Sequence, residues 1–334
     1  MGIFADICGR VLLTVFPAVL FLSGCSGGMS DGGSAEDLSA SGNAATIKTV
    51  TYGRVTDVGT GITVSGVRYD HSAASHSDDQ GSALRGDDIA LGMIVALEGD
   101  VDATGVRGVA RKVVVVDDIV APLVGVDLVA RTVTVAGARA LVSNTTVLVG
   151  FTSLEALATH LGELVVLHGP MADSGVMGAT RIELRGVALA GRWFKGRGVV
   201  RRLDATLTDF ELGPEGAVAK VCYCHSLRNP ADPAIGEGRT IRIWSLTSPV
   251  AGTAQLWVSD QARVIGIPTL ATNVHVELDG IWTANAGTSG QIGDYPVDLS
   301  ALSADRMVKP VAGQAIAVKG TWFNGRVVAT RATL

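Results

Sequence analysis

The sequence predicts a mainly β protein: a tandem array of small OB-like five-stranded β-barrels, each with one short helix between strands three and four. Three observations lead there. The chain has 334 residues, 47% of them apolar but only 5% aromatic, with 42 Gly against 10 Pro. Such a composition excludes intrinsic disorder, which goes with low hydrophobicity and high charge, and it excludes collagen-like and disulfide-dense chains. The sequence also repeats itself at a spacing of about 70 residues, and the cleanest copy of the repeat reads β-β-β-α-β-β.

Residues 1–24 stand apart from that array. Arg10, partly offset by Asp6, precedes an apolar-rich run from Val11 to Leu22, 12 residues long. A helix of that length is too short for the ~30 Å hydrocarbon core of a bilayer, and it suits the central segment of a secretory signal. The run ends in Leu22-Ser23-Gly24-Cys25, which resembles the lipobox of bacterial lipoproteins. On that resemblance Cys25 takes the diacylglycerol and a palmitate-type chain. An ordinary cleaved signal or an uncleaved anchor is the alternative. Each buried CH₂ contributes about 0.8 kcal/mol, so several chains on one cysteine anchor a protein where a single chain does not. Ser26 in place of Asp resembles the sorting signal for the outer membrane. Residues 25–47 read as a flexible Gly/Ser/Ala tether with a root-mean-square reach of roughly 25 Å.

The repeats define the domains. Thr63–Ser72 (TVSGVRYDHS) aligns without gaps to Thr134–Ser143 (TVAGARALVS) at an offset of 71 residues. Leu91–Gly99 (LGMIVALEG) matches Leu161–Gly169 (LGELVVLHG) at an offset of 70. These set unit one at 48–118 and unit two at 119–189. A diverged unit three is expected over 190–284. In it Val221–Ser226 echoes Val67–Ser72, Val258–Gly266 echoes Val142–Gly150, and Asn273–Gly280 echoes Glu163–Gly169, with Leu227 to Ala254 as an insertion. Residues 285–334 are expected to be a partial fourth unit, or strands that complete the third.

Unit two shows the elements most clearly. Val124–Val129 reads as a strand, and Thr132–Leu141 as a second, with β-branched residues at 132, 133, 134 and 135. Thr145–Val149 is a short third. Thr152 and Glu155 have capping-box spacing and open a helix to about His160, with Leu154, Leu157 and Leu161 on one face; Gly162 stops it. Glu163–Met171 and Val176–Leu184 form a closing hairpin. A helix between strands three and four is the order of OB-like barrels, and closing the sheet hides the edges of a unit too small for a large core. A sandwich formed across units is the rival arrangement.

The Gly53–Val55 start, the ITVSGV of Ile62–Val67 and the LGMIVALEG of Leu91–Gly99 resemble the exported bacterial family called domain of unknown function 5666. The likeness covers roughly residues 50–185. It rests on structural Gly and Val, and that family implies no activity and no catalytic residue.

Candidate chemistry gathers in few places. Cys222-Tyr223-Cys224-His225 combines thiols and an imidazole, a Cu(I) or Zn ligand set, though without a recognised zinc spacing. Structural thiols or a disulfide are the alternatives, in a compartment that oxidises. His71, His76, Asp78 and Asp79 share the loop Asp70–Asp88 with Asp87 and Asp88; such a loop either binds a divalent cation or is simply solvated. All five Trp follow residue 190, and GRWFKG at 191–196 resembles GTWFNG at 320–325. Trp193, Trp322 and Phe323 are therefore candidates for stacking on a glycan or partner, or for filling core gaps. Gly28-Met29-Ser30-Asp31-Gly32 has the spacing of a hydrolase nucleophile elbow but neither the strand nor the helix that gives it meaning.

With 27 Lys+Arg against 32 Asp+Glu the net charge is −5, which argues against nucleic acid. No cofactor is expected. The functional expectation is a membrane-anchored envelope lipoprotein, facing the periplasm or the surface, that acts as a non-catalytic binding or scaffolding module for an envelope protein or glycan. The alternatives are a periplasmic metal-binding protein using the Cys-x-Cys-His cluster and an enzyme without a readable motif.

Overall fold

Runs of Val, Ile and Thr in alternation with polar residues build 22 strands among the described residues, since such residues fit a pleated, half-buried surface. The computed structural model describes residues 46–116, 119–135, 138–172, 175–186, 194–202, 209–212, 219–222, 236–238, 240–249, 256–258, 261–264, 268–286 and 288–334. Cys25, Trp193, Cys224 and His225 lie outside them.

Barrel 1 comprises β1 (Ile47–Asp57), β2 (Ile62–Val64), β3 (Val67–Asp70), β4 (Ser75–Asp78), a single 3-10 turn (Gly86–Asp88), β5 (Ile94–Val101) and β6 (Arg107–Val116). Strand β1 pairs antiparallel with β2, and β2 with β3. Both β3 and β4 run parallel to β6, which pairs with β5, and β5 returns to β1. That ring has the OB strand order, its third strand broken into β3 and β4.

Barrel 2 repeats it with β7 (Ile119–Asp127), β8 (Thr132–Val135), β9 (Ala138–Val149), α1 (Leu154–Leu157, continued by a 3-10 turn to His160), β10 (Leu164–His168) and β11 (Val176–Gly186). The ring runs β7-β8-β9-β11-β10-β7, with β9 and β11 parallel. The segments matched at offsets of 71 and 70 thus occupy the same slots, strands two to three and strand four. Three details differ from expectation. The first strand starts at Ile119, not Val124. The expected strand Thr132–Leu141 is a hairpin, with Val135 paired to Ala138; the buried positions step from 133 and 135 to 138, 140 and 142 across it. The helix cap is Ser153, whose Oγ accepts the Ala156 N–H at 3.2 Å, rather than Thr152. Among the described residues, only barrel 2 fills the slot between strands three and four with an α-helix.

Barrel 3 holds β12 (Phe194–Arg201), β13 (Asp209–Leu212), β14 (Ala219–Cys222), β15 (Thr240–Ser245), β16 (Leu256–Val258) and β17 (Gln261–Val264). Strand β15 is its fourth strand, and β16 with β17 form the fifth in two pieces: β16 pairs with β14 and β17 with β15. Barrel 4 closes through β18 (His275–Ala286), β19 (Ser289–Ile292), β20 (Tyr295–Asp298), β21 (Ala315–Phe323) and β22 (Arg326–Thr333).

The expected boundary at 284/285 is therefore corrected. Asn273–Gly280 leads into the first strand of a complete fourth ring, and the supposed insertion 227–254 contains the fourth strand of the third. First and fourth strands are ring neighbours, and the Val-x-Leu-x-Gly of Val276–Gly280 in a first strand reads like that of Val95–Gly99 and Val165–Gly169 in fourth strands. Val258 likewise belongs to a fifth strand, whereas its match Val142 lies in a third.

Strand one joins the barrels. The N-terminal half of β1 pairs parallel with β18 (Val50↔Val276, Tyr52↔Leu278), and β7 meets β12 at Val120↔Lys195. Each joint covers a strand edge that would otherwise invite foreign pairing. Side chains alternate across β1 accordingly. Val55 joins the lumen of barrel 1 with Ile62, Tyr69 and Leu97, while Val50 and Tyr52 join the core of barrel 4 with Leu278, Trp282 and Trp322. Barrels 2 and 3 share one cluster, including Leu123, Leu157, Val200 and Ile243. Full burial of one such side chain contributes about 1.5–3 kcal/mol. Barrels 1 and 2 also touch directly: Thr180 Oγ1 donates to the Gly92 carbonyl at 2.7 Å, and Arg181 Nη1 to that of Leu91 at 3.0 Å.

Candidate functional site

The break between β3 and β4 opens a cleft of about 410 Å³ on barrel 1. Its walls are the turn 70–74, His76 of β4, the β1–β2 loop at Gly59, Thr60 and Gly61, and Gly86 with Asp87. Gly61 is dictated by sterics, because a Cβ there would collide with the Tyr69 carbonyl. Thr60 Oγ1 is fixed by Arg68 Nη2, which donates to it at 2.6 Å.

The polar groups of the cleft are ordered by local bonds. Asp70 Oδ1 accepts the Ser72 N–H at 2.9 Å, and this bond holds the carboxyl below the usual carboxylate range. The Ala74 N–H donates to the His71 carbonyl at 3.1 Å and the Leu84 N–H to that of His76 at 3.0 Å, closing the turn on both sides. These bonds bring His71 Nδ1 within 2.9 Å of His76 Nε2, with the rings edge to face and their centroids 5.2 Å apart. Partial burial, and then the charge of His71, push the His76 imidazole below its ordinary value, so this ring is neutral at neutral pH and keeps a lone pair.

Of the residues expected to act together, His71 and His76 meet and Asp87 lines the same cleft. Asp78 and Asp79 do not belong to it, which corrects that grouping. Asp79 Oδ1 lies 2.8 Å from Lys195 Nζ, and Asp79 Oδ2 lies 2.6 Å from Arg242 Nη1; Asp78 Oδ2 is 3.5 Å from the same Lys195 nitrogen. Asp78 Oδ1 also accepts the N–H groups of Gln80 and Ser82. Successive residues of a strand face opposite ways, but β4 ends at Asp78, and the carboxylates of 78 and 79 turn together onto barrel 3. Lys195 and Arg242 carry no local signal in the sequence beyond being cations within strands.

The remaining candidates separate. Trp322 is 4% exposed and packs in the core of barrel 4, edge to face with Tyr295 at 6.5 Å, so it is not a contact residue. Phe323 is 48% exposed beside the Asn324-Gly325 turn, where both residues have positive φ. The backbone of Cys222 pairs with Asp209 and Val258. Among the described residues no three His, Cys, Asp or Glu side chains converge on one ion position, and no helix is long and apolar enough to cross a membrane.

No family model matches the chain, and no curated protein is similar to it. The likeness of units one and two to domain of unknown function 5666 therefore rests on the quoted residues alone.

Proposed function

We propose that this protein is a lipid-anchored envelope protein whose OB-like barrels serve as a non-catalytic binding or scaffolding module. In this reading Cys25 carries the lipid, residues 26–46 are the tether, and the partner is an envelope protein or glycan. One observation carries it: the barrels are fixed in pairs by backbone, 1 with 4 and 2 with 3. The β1–β18 and β7–β12 pairings continue sheets from barrel to barrel. Buried ion pairs add cross-links, from Lys195 and Arg242 to Asp79 and from Arg197 to Asp294 at 3.3 Å. A scaffold needs surfaces held at constant separation, and ordinary flexibly linked domains do not provide that.

Fractionation and in-cell crosslinking of the full chain test the reading. The mature protein is expected to begin at Cys25 with acyl mass attached, and Cys25→Ser to move it out of the membrane fraction. Discrete crosslinked adducts are expected on intact cells for the anchored form and not for Cys25→Ser. A membrane-fraction protein that retains Met1 without acyl mass, or an anchored form that yields no adduct, overturns it.

A further inference from the structure

The two imidazoles of the cleft are a local departure from the repeat. With Thr63–Ser72 laid on Thr134–Ser143, His71 and His76 fall on Val142 and Val147. Barrel 2 has a related interruption there, residues 143–146 facing the single residue of β11 between Ala179 and Arg181, where residues 71–74 of barrel 1 face two residues of β6. The fold therefore builds this bulge without histidine, and the pair in barrel 1 answers to something other than folding.

Its geometry says to what. His71 Nδ1 and His76 Nε2 are 2.9 Å apart. Two nitrogens bound at about 2.05 Å to one ion stand about 2.9 Å apart at a right angle and about 3.35 Å apart at the tetrahedral angle. At 2.9 Å the two nitrogens are hydrogen-bonded to each other, and a single ion bridging them would take the place of that bond; imidazole ligands suit Cu²⁺, Ni²⁺ and Zn²⁺, with Cu²⁺ bound most tightly. We propose that His71 and His76 are a two-imidazole anchor for a divalent transition-metal ion, Cu²⁺ foremost, whose other positions open into the cleft.

Loading requires only that one ring shift its proton to its far nitrogen. Both facing nitrogens then present lone pairs to the ion. Asp70 and Asp87 line the same cleft and add negative charge within reach of bound water. Two protein donors leave several ligand positions free, so the bound ion stays open to exchange. This inference goes beyond the scaffold reading and does not rest on it.

Electron paramagnetic resonance of the full chain titrated with Cu²⁺ alone provides the test. One equivalent should give a tetragonal spectrum with hyperfine coupling to two nitrogens. Cys222→Ser with Cys224→Ser should keep that spectrum, which separates it from any thiolate site. The double variant His71→Val, His76→Val copies barrel 2, so it should keep its circular dichroism and melting temperature and lose the signal. His76→Gln, which preserves polarity, should lose it as well. A two-nitrogen spectrum surviving in the valine pair, or a wild-type spectrum lost with the thiols, overturns the proposal.

Discussion

Glu277 and Asp279 stand two residues apart on β18, yet the fold shifts their carboxyls in opposite directions. Glu277 is buried at the joint between barrels 1 and 4, directly across from Thr51. Burial alone would raise it, but His275 at 3.4 Å and Lys319 at 2.8 Å together bring it below its ordinary value. Asp279 is raised by burial, which the charge of Arg54 only partly offsets. Beside Glu277, burial also raises the Tyr69 hydroxyl, which sits 2.6 Å from Thr51 Oγ1.

The signs separate in solution. A carboxyl lowered in the fold adds stability above its unfolded value and loses it as pH falls through the folded one; a raised carboxyl does the reverse. Asp279→Asn should therefore raise the melting temperature at neutral pH, with the gain vanishing below about pH 4, near the unfolded value of an aspartate. Glu277→Gln should lower it at neutral pH, the deficit shrinking on acidification. Melting curves across that range decide, and a gain for Asp279→Asn that ignores pH would contradict the assignment.

Asp79 neutralises two buried cations, Lys195 and Arg242. Removing one partner of such a group leaves uncompensated charge and costs about 3–5 kcal/mol. Asp79→Ala should show that loss in urea unfolding, and adding Lys195→Met should restore part of it. Equal midpoints for Asp79→Ala and the wild type would mean that the latch between barrels 1 and 3 contributes nothing.

Repetition was the part of the fold most legible in the sequence. Residues 63–72 and 134–143 fill the same hairpin because Val64 and Val67, like Val135 and Ala138, must close the same turn at the same register. The third and fourth barrels were misdivided because Asn273–Gly280 leads into a first strand and carries the pattern of a fourth. The candidate site was half legible. His71 and His76 are close in sequence, but their contact depends on the break in strand three, and the release of Asp78 and Asp79 depends on Lys195 and Arg242, more than 100 residues away. No local pattern encodes a partner at that separation.

Val50 reaches from barrel 1 into the core of barrel 4. Val50→Asp would place a carboxylate there without a partner, at a cost of several kcal/mol. Because Val50 also pairs with Val276 across the joint, the penalty falls on the contact as well as on each barrel. Calorimetry should show one transition for wild type splitting into two. A single transition at an unchanged midpoint would mean that the joint does not couple the two barrels.

Trp322 and Phe323 are adjacent on β21 and should respond to substitution in opposite ways. Strand alternation sends the indole inward against Tyr295 and the phenyl outward beside the Asn324-Gly325 turn. Trp322→Ala empties a core position and should cost about 3–5 kcal/mol. Phe323→Ser, on the surface, should stay within about 0.5 kcal/mol of wild type. Urea unfolding followed by far-ultraviolet circular dichroism avoids the loss of tryptophan fluorescence as a confounding signal. If Phe323→Ser proves the more damaging of the two, the alternation along β21 has been read in the wrong phase, and the residue offered to a partner is the indole.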